Sequence, residues 1–342
     1  MKVLYFCLDV GSGIEEMGRF KIEILRRFSG ISKIVVYNTQ CSRIASEEAI
    51  PFVEKYNPDI IIFEENDVLQ VPDLSRHSNC PIIMIKHGTV CTRNDCSAIL
   101  THVWSEGISG DYRYMYLPCS PGNIFKNEHQ TLTPQGNNVL IVSRPYKFTM
   151  GDIEKALQLF QCDKIDAYFS KKSLKFSGHD TQFIIEKYFN HKGFISKQEM
   201  AKVYAEYDFM LIPTIDECLC LPLREALMSG VLPIICSFEK YYSTRCNFAN
   251  EFLKYVAWID KDDKSSLSRK LVTLRLENDY IMSYLSLEKM ILHLLMYLRC
   301  FALKDLKWNG KPIVDVEEFP QKDLYDPTRH YTHAVDWDAI NL

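Results

Sequence analysis

Apolar runs of strand length alternate with segments whose apolar residues recur at helical spacing, from the first residues onward. "KVLYFCL" leads into "GRFKIEILRRFSG", where Phe20, Ile24, Leu25 and Phe28 fall on one helical face. "KIVVYN", a helical "ASEEAIPFVEKYN", "DIIIFEE" and "PIIMIKHG" follow. The stretch 116–138, "YLPCSPGNIFKNEHQTLTPQGNN", interrupts this rhythm with Pro, Gly, Asn and Gln, the composition of a linker. The alternation resumes through "VLIVS", "MGDIEKALQLFQ", "KIDAYFS", "SKQEMAKVYAEY", "FMLIP" and "VLPIIC". Repeated βα units predict an α/β fold of doubly wound parallel sheets, with ligands at the carboxyl ends of the strands. The pattern predicts two Rossmann-like domains, 1–130 and 131–285, then a helix and an extended acidic tail over 286–342 with reach to cross back to the first domain.

Composition narrows the picture. The 342 residues are 47% hydrophobic and 25% charged, the profile of a soluble globular protein. Forty basic against 44 acidic residues give a net charge of −4, so no global basic field marks a nucleic-acid binder. A local basic groove would have to draw on Lys21, Arg26, Arg27, Lys33 and Arg93. Twelve cysteines without a CxxC pair read as reduced thiols. His87, Cys91, Cys96 and His102 lie close in sequence, but their spacing fits no zinc module, and no metal is expected there. The opening "MKVLYFCLDVGSG" carries no cleavage site and reads as a first strand. The apolar runs "ILHLLMYL", "PIIMI" and "VLPIIC" fall short of a membrane span, so the expectation is a cytoplasmic protein without a transmembrane segment.

Candidate chemistry concentrates in "PTIDECLCLPLREALMSGVLPIICS", residues 213–237. Pro222 suits a first helical turn, and Gly230 before Val-Leu-Pro supplies a stop, predicting a helix over about 222–229. Glu225 then sits in the first turn, with Glu217 in the preceding loop. The backbone amides around Leu221 and Leu223 are unpaired helix donors and form an anion site. A carboxylate beside an anion cannot hold it, but it can accept hydrogen bonds from hydroxyls on either side. Hydroxyls, phosphates and hydroxyls in series describe a nucleotide sugar: Glu217 on the sugar, the Leu221 and Leu223 amides on the diphosphate, Glu225 on the ribose. A glutamate early in a helix also complements the dipole with no ligand, and that reading stands beside the first.

The run "SKQEMAKVYAEYDFMLIPTIDECLCLPLREALMSGVLPIICS" resembles the signature of retaining, family-4 type GT-B glycosyltransferases. Asp208, Pro213, Glu217, Glu225, Ala226, Gly230 and Pro233 occupy the places of that signature, and a weaker likeness extends over most of 1–260. The resemblance implies two Rossmann-like domains facing a central cleft. It implies transfer of a sugar from a nucleoside-diphosphate donor such as UDP-glucose to an acceptor hydroxyl, with no metal or other cofactor. It places Arg144 and Lys147 on the donor diphosphate, Gly18 at the helix start that follows a glycine-bearing loop beside the donor phosphate, and His87 near the anomeric carbon. Lys147 departs from the usual lysine position, where Met150 stands before Gly151. Read alone, Arg144 is equally a surface cation, Gly18 a plain turn, and His87 a structural residue at a strand end. Between the glutamates this chain has Cys218-Leu219-Cys220 where the family has Gly-Phe-Gly.

The acceptor stays open among glycan, lipid and DNA. "GRFKIEIL" and "IKHGTVCTRND" resemble phage α-glucosyltransferases that act on hydroxymethylated bases, which would require a flipped base. An alternative of another class is a non-catalytic GT-B scaffold that binds a nucleotide sugar without transferring it.

Overall fold

The computed structural model describes residues 1–8, 13–39, 46–65, 73–87, 96–102, 113–142, 150–169, 181–213, 219–242, 248–319, 335–340 and 342. The chain divides into two compact units. Of the described residues, unit 1 contains Met1–Cys119, the chain from Leu287 to Phe319, and those of Asp336–Leu342; unit 2 contains those of Ser120–Ser286, and Val335.

Unit 1 opens with β1 (Lys2–Leu8), α1 (Gly13–Leu25), β2 (Phe28–Ser29) and β3 (Lys33–Thr39). It continues with α2 (Ser46–Tyr56), β4 (Ile60–Glu65), β5 (Ile82–Lys86), β6 (Ala98–Thr101) and β7 (Tyr114–Tyr116). Unit 2 begins with β8 (Val139–Ile141), α3 (Met150–Phe160), β9 (Ile165–Tyr168), α4 (Thr181–Tyr188) and β10 (Phe189–Gly193). Then come α5 (Lys197–Tyr204), β11 (Phe209–Ile212), α6 (Leu221–Met228), β12 (Leu232–Ile235) and α7 (Phe238–Tyr242). The unit closes with β13 (Ala257–Trp258), α8 (Lys264–Leu276) and α9 (Asn278–Tyr284). The chain returns to unit 1 through α10 (Leu287–Ala302), β14 (Lys307–Trp308) and β15 (Val316–Phe319).

Unit 2 holds a six-stranded sheet in the order β10-β9-β8-β11-β12-β13, parallel throughout. Renumbered within the unit this is 3-2-1-4-5-6, the Rossmann order, whose reversal point falls between β8 and β11. Unit 1 holds a seven-stranded parallel sheet in the order β15-β3-β1-β4-β5-β6-β7. Its reversal point falls between β1 and β4, and β15 supplies the strand beyond β3 from far along the chain. Central strands such as "IIMIK" are buried along their whole length, because helices on both faces of a parallel sheet exclude water from both sides.

The segment 127–136 is fastened to unit 2 by two buried side chains. Asp208 accepts from the amides of Gln135 at 2.8 Å and Gly136 at 3.2 Å, and pairs with Arg275 at 2.8 Å. Arg275 also donates to the carbonyls of Gly230 and Thr131, each at 3.0 Å. The signature residues Asp208 and Gly230 thus share one anchor for the connecting segment.

The helical stretch Asn278–Ala302 is long and apolar enough to cross a membrane by length and composition, contrary to the expectation from shorter apolar runs. Its second part, α10, buries Leu287, Met290, Ile291, Leu294 and Leu298, the stripe of a helix packed on a core.

Candidate functional site

Helix α6 follows β11, one of the two strands that flank the reversal point of unit 2. It starts at Leu221, so Glu225 lies in the second turn and not in the first as the sequence suggested. It ends in a Schellman arrangement: Gly230, at φ +72°, donates to Leu227, and Val231 donates to Ala226. Gly230 is required twice over, since a Cβ there would also lie 2.5 Å from Asn127 Oδ1.

At the other end, Cys220 adopts φ 48° and ψ 70°, the left-handed region that favours glycine. Cys220 is the residue that the resemblance aligns with the second glycine of a Gly-Phe-Gly. A cysteine held there carries a strain of roughly 1–2 kcal/mol. The Leu223 amide donates to the Cys220 carbonyl at 3.1 Å, so it is not the unpaired donor the sequence suggested. Pro222 has no N–H, which leaves Leu221 as the remaining amide of the predicted anion site.

Glu225 is 1% exposed. One carboxylate oxygen pairs with Lys197, at the start of α5, and the other accepts from the Tyr204 hydroxyl at 3.2 Å. Burial, and then the Glu225 carboxylate, hold the Tyr204 phenol well above its ordinary pKa, so it stays a donor. Lys197 is 21% exposed and connects this buried carboxylate to solvent. Neither partner was singled out from the sequence. Lys197 heads the helix "KQEMAKVY" under a Ser196–Glu199 capping box, which explains its position but not its partner.

Arg144, Lys147 and Glu217 lie outside the described residues. By sequence they follow β8 and β11, the two strands at the reversal point.

In unit 1, His87 follows β5 and is 3% exposed. Its Nε2 bonds Glu64, at the end region of β4. Glu64 is fully buried and also binds the Lys21 ammonium and the Tyr5 hydroxyl. Burial raises the Glu64 carboxyl, but Lys21 and then His87 outweigh it, and the group titrates below its usual range. Burial lowers His87 against the opposing pull of Glu64, leaving the imidazole neutral. Gly18 lies inside α1, not at its start, and a Cβ there would stand 2.9 Å from Cys7 Sγ and 3.2 Å from Glu64 Cγ. Its missing side chain lets α1 approach the sheet closely enough for Lys21 to reach Glu64.

Glu64, His87 and His102 bring one ligand-type atom each within 4.8 Å of one another. The Lys21 ammonium already occupies Glu64, and a dication would face that fixed charge, so we do not read these residues as metal ligands. A shallow groove of about 550 Å³ between α4 and β10 contains none of the residues discussed here.

Of the described residues named for a basic groove, each already has a partner within unit 1. Lys21 is buried, Arg27 stacks 3.7 Å over Trp337, Arg26 bonds Glu23 and the Val314 carbonyl, and Lys33 pairs with Glu317 at 2.6 Å. Arg93 lies outside the described residues.

Several solved structures share this architecture. HepE from Anabaena, crystallised with UDP and glucose, is 12% identical, with 88% of this chain and 100% of that chain covered and a TM-score of 0.61. Sucrose-phosphate synthase from Thermosynechococcus elongatus is 11% identical, covering 89% and 100%, with a TM-score of 0.59. WaaG, a glycosyltransferase involved in lipopolysaccharide biosynthesis, is 11% identical, covering 88% and 99%, with a TM-score of 0.55. The fold is GT-B. No protein-family profile matches this GT-B chain, and no curated protein is similar to it in sequence. At such low identities the GT-B likeness is one of fold, and chemistry has to be argued from the residues above.

Proposed function

We propose that this chain is a retaining glycosyltransferase of the family-4 type, moving a sugar from a nucleoside-diphosphate donor to an acceptor hydroxyl in the cytosol. The observation that carries the proposal is the position of Glu225. A buried carboxylate stands on the helix that follows a strand at the reversal point of a 3-2-1-4-5-6 sheet, where such sheets bind nucleotides. In this reading a ribose hydroxyl reaches Glu225 from the side of the partly exposed Lys197. The Leu221 amide and the dipole of α6 face the diphosphate, with Arg144 and Lys147 as its cations and Glu217 on the sugar hydroxyls. Fixed positive groups aimed at a departing diphosphate lower the barrier without a metal. The resemblance assigns His87 to the donor sugar, and the nucleoside diphosphate leaves from the face the acceptor hydroxyl attacks, taking up that hydroxyl's proton. UDP-glucose is the donor to try first, since HepE has been crystallised with it.

The test is thermal unfolding of the full chain with UDP, UDP-glucose and the corresponding guanosine and adenosine compounds. A donor at about 100 Kd adds about 2.7 kcal/mol of stability. Glu225→Ala is expected to lose most of that shift while keeping its ligand-free fold. No shift with any nucleotide would overturn the reading. A shift without sugar transfer or donor hydrolysis would leave a nucleotide-sugar-binding scaffold.

A further inference from the structure

The cluster behind His87 has a composition that fixes more than geometry. Tyr5 comes from β1, Lys21 from α1, Glu64 from β4, and His87 stands at the end of β5. The side chains of Lys21 and Glu64 are 0% exposed and that of His87 is 3% exposed. Cys7 on β1 stands near the group, and His102, at the end of β6, faces the His87 ring at 5.3 Å between centroids. His102 Nδ1 meets the Leu117 carbonyl at 2.8 Å. A carbonyl only accepts, so His102 carries its hydrogen on Nδ1.

The charges then determine one another. Lys21 and Glu64 sum to zero, and a buried charge survives only when it is matched. A protonated His87 would give the cluster an uncompensated positive charge. An ionised Glu64 only accepts, so His87 must donate from Nε2, which leaves Nδ1 as a bare lone pair.

We propose that Lys21, acting through Glu64, is a positioning residue that keeps His87 neutral and turned with its N–H into the protein, so that the ring can only accept at Nδ1. Resting on the function proposed above, this makes His87 an acceptor for a hydroxyl hydrogen of the donor sugar and not a proton donor to the leaving group. Lys21 touches no substrate in this scheme. Removing its charge would leave Glu64 to draw a proton onto His87, and the ring would change from acceptor to donor.

The experiment is ¹⁵N NMR of the histidine rings in the full chain, with sugar transfer measured in parallel. In the parent protein at neutral pH, His87 should show one protonated and one bare ring nitrogen, and should keep them well below the ordinary histidine pKa. In Lys21→Met both ring nitrogens should become protonated and turnover should drop with KM little changed. Lys21→Arg should restore the parent pattern, and Tyr5→Phe, which keeps the lysine, should retain it. A parent His87 that titrates at or above its ordinary value overturns the proposal, whether or not Lys21→Met folds. So does a His87 pattern unaltered in a folded Lys21→Met. A parent that shows the expected rings but transfers no sugar overturns the proposed function and upholds the charge assignment.

Discussion

Each unit buries one glutamate against one lysine and one tyrosine. In unit 1 these are Glu64, Lys21 and Tyr5; in unit 2 they are Glu225, Lys197 and Tyr204. The chemistry is the same and the access differs. The Lys21 side chain is wholly buried, whereas that of Lys197 is 21% exposed. A closed cluster has no partner to exchange, so its product is orientation, here of His87. An open one can release the lysine to water and offer the same carboxylate oxygen to a ligand hydroxyl. Accessibility, not residue type, separates the two clusters.

The largest expected effect follows from that difference. Lys21→Met should destabilise by about 3–5 kcal/mol, because Glu64 loses its buried partner and can be matched only by protonating the buried His87. Lys197→Met should cost only about 1–2 kcal/mol, between the values for buried and exposed pairs, because water reaches its site. Equal losses in urea unfolding of the two variants would show that the two clusters do not differ in access.

Acid separates the units in a second way. His87 in unit 1 is held below its ordinary pKa by burial, and His129 in unit 2 is lowered to about 4 by burial and then by Arg275. As pH falls below the ordinary histidine value of about 6.5, the unfolded chain takes up these protons and the folded chain does not. Stability present above that value should therefore decline on acidification, for His129 down to about 4. Glu64, with its lowered carboxyl, adds a further loss below the usual carboxylate range. His129→Gln should flatten part of the slope of melting temperature against pH, and a slope identical to the parent's would refute its share.

The smallest effect concerns the backbone beside Glu225. Cys220→Gly relieves the left-handed strain but frees the unfolded chain and gives up a buried thiol. The net gain should be under about 1 kcal/mol by denaturant midpoint. A clear loss of stability would mean that thiol packing, and not the left-handed backbone, governs that turn.

The βα rhythm made the parallel sheets legible, because a buried parallel strand needs an unbroken apolar run and a helix on each side to return. The Pro222 and Gly230 boundaries of α6 were legible to within a residue, since both act through local backbone geometry. Lys21 was not. It lies on the apolar stripe of α1 between Met17 and Ile24, yet a lone lysine in "GRFKIEIL" reads as surface until its carboxylate on β4 is known. Lys197 and Tyr204 escaped for the same reason, since which residues meet across elements is decided by tertiary packing. The Leu223 amide was misjudged because a tight turn at Cys220 captures it, and that turn follows from a backbone angle that cysteine seldom adopts.

The strand β15 had no legible signal, being "VEEF" within an acidic stretch, yet it lies beside β3 in the first sheet. During synthesis, every strand and helix given above for unit 2 leaves the ribosome before β15 does. Until then β3 is an open edge, able to pair with any passing extended chain. Unit 2, the Rossmann-ordered half, has all six of its strands in hand earlier, while the other half still waits for its border strand.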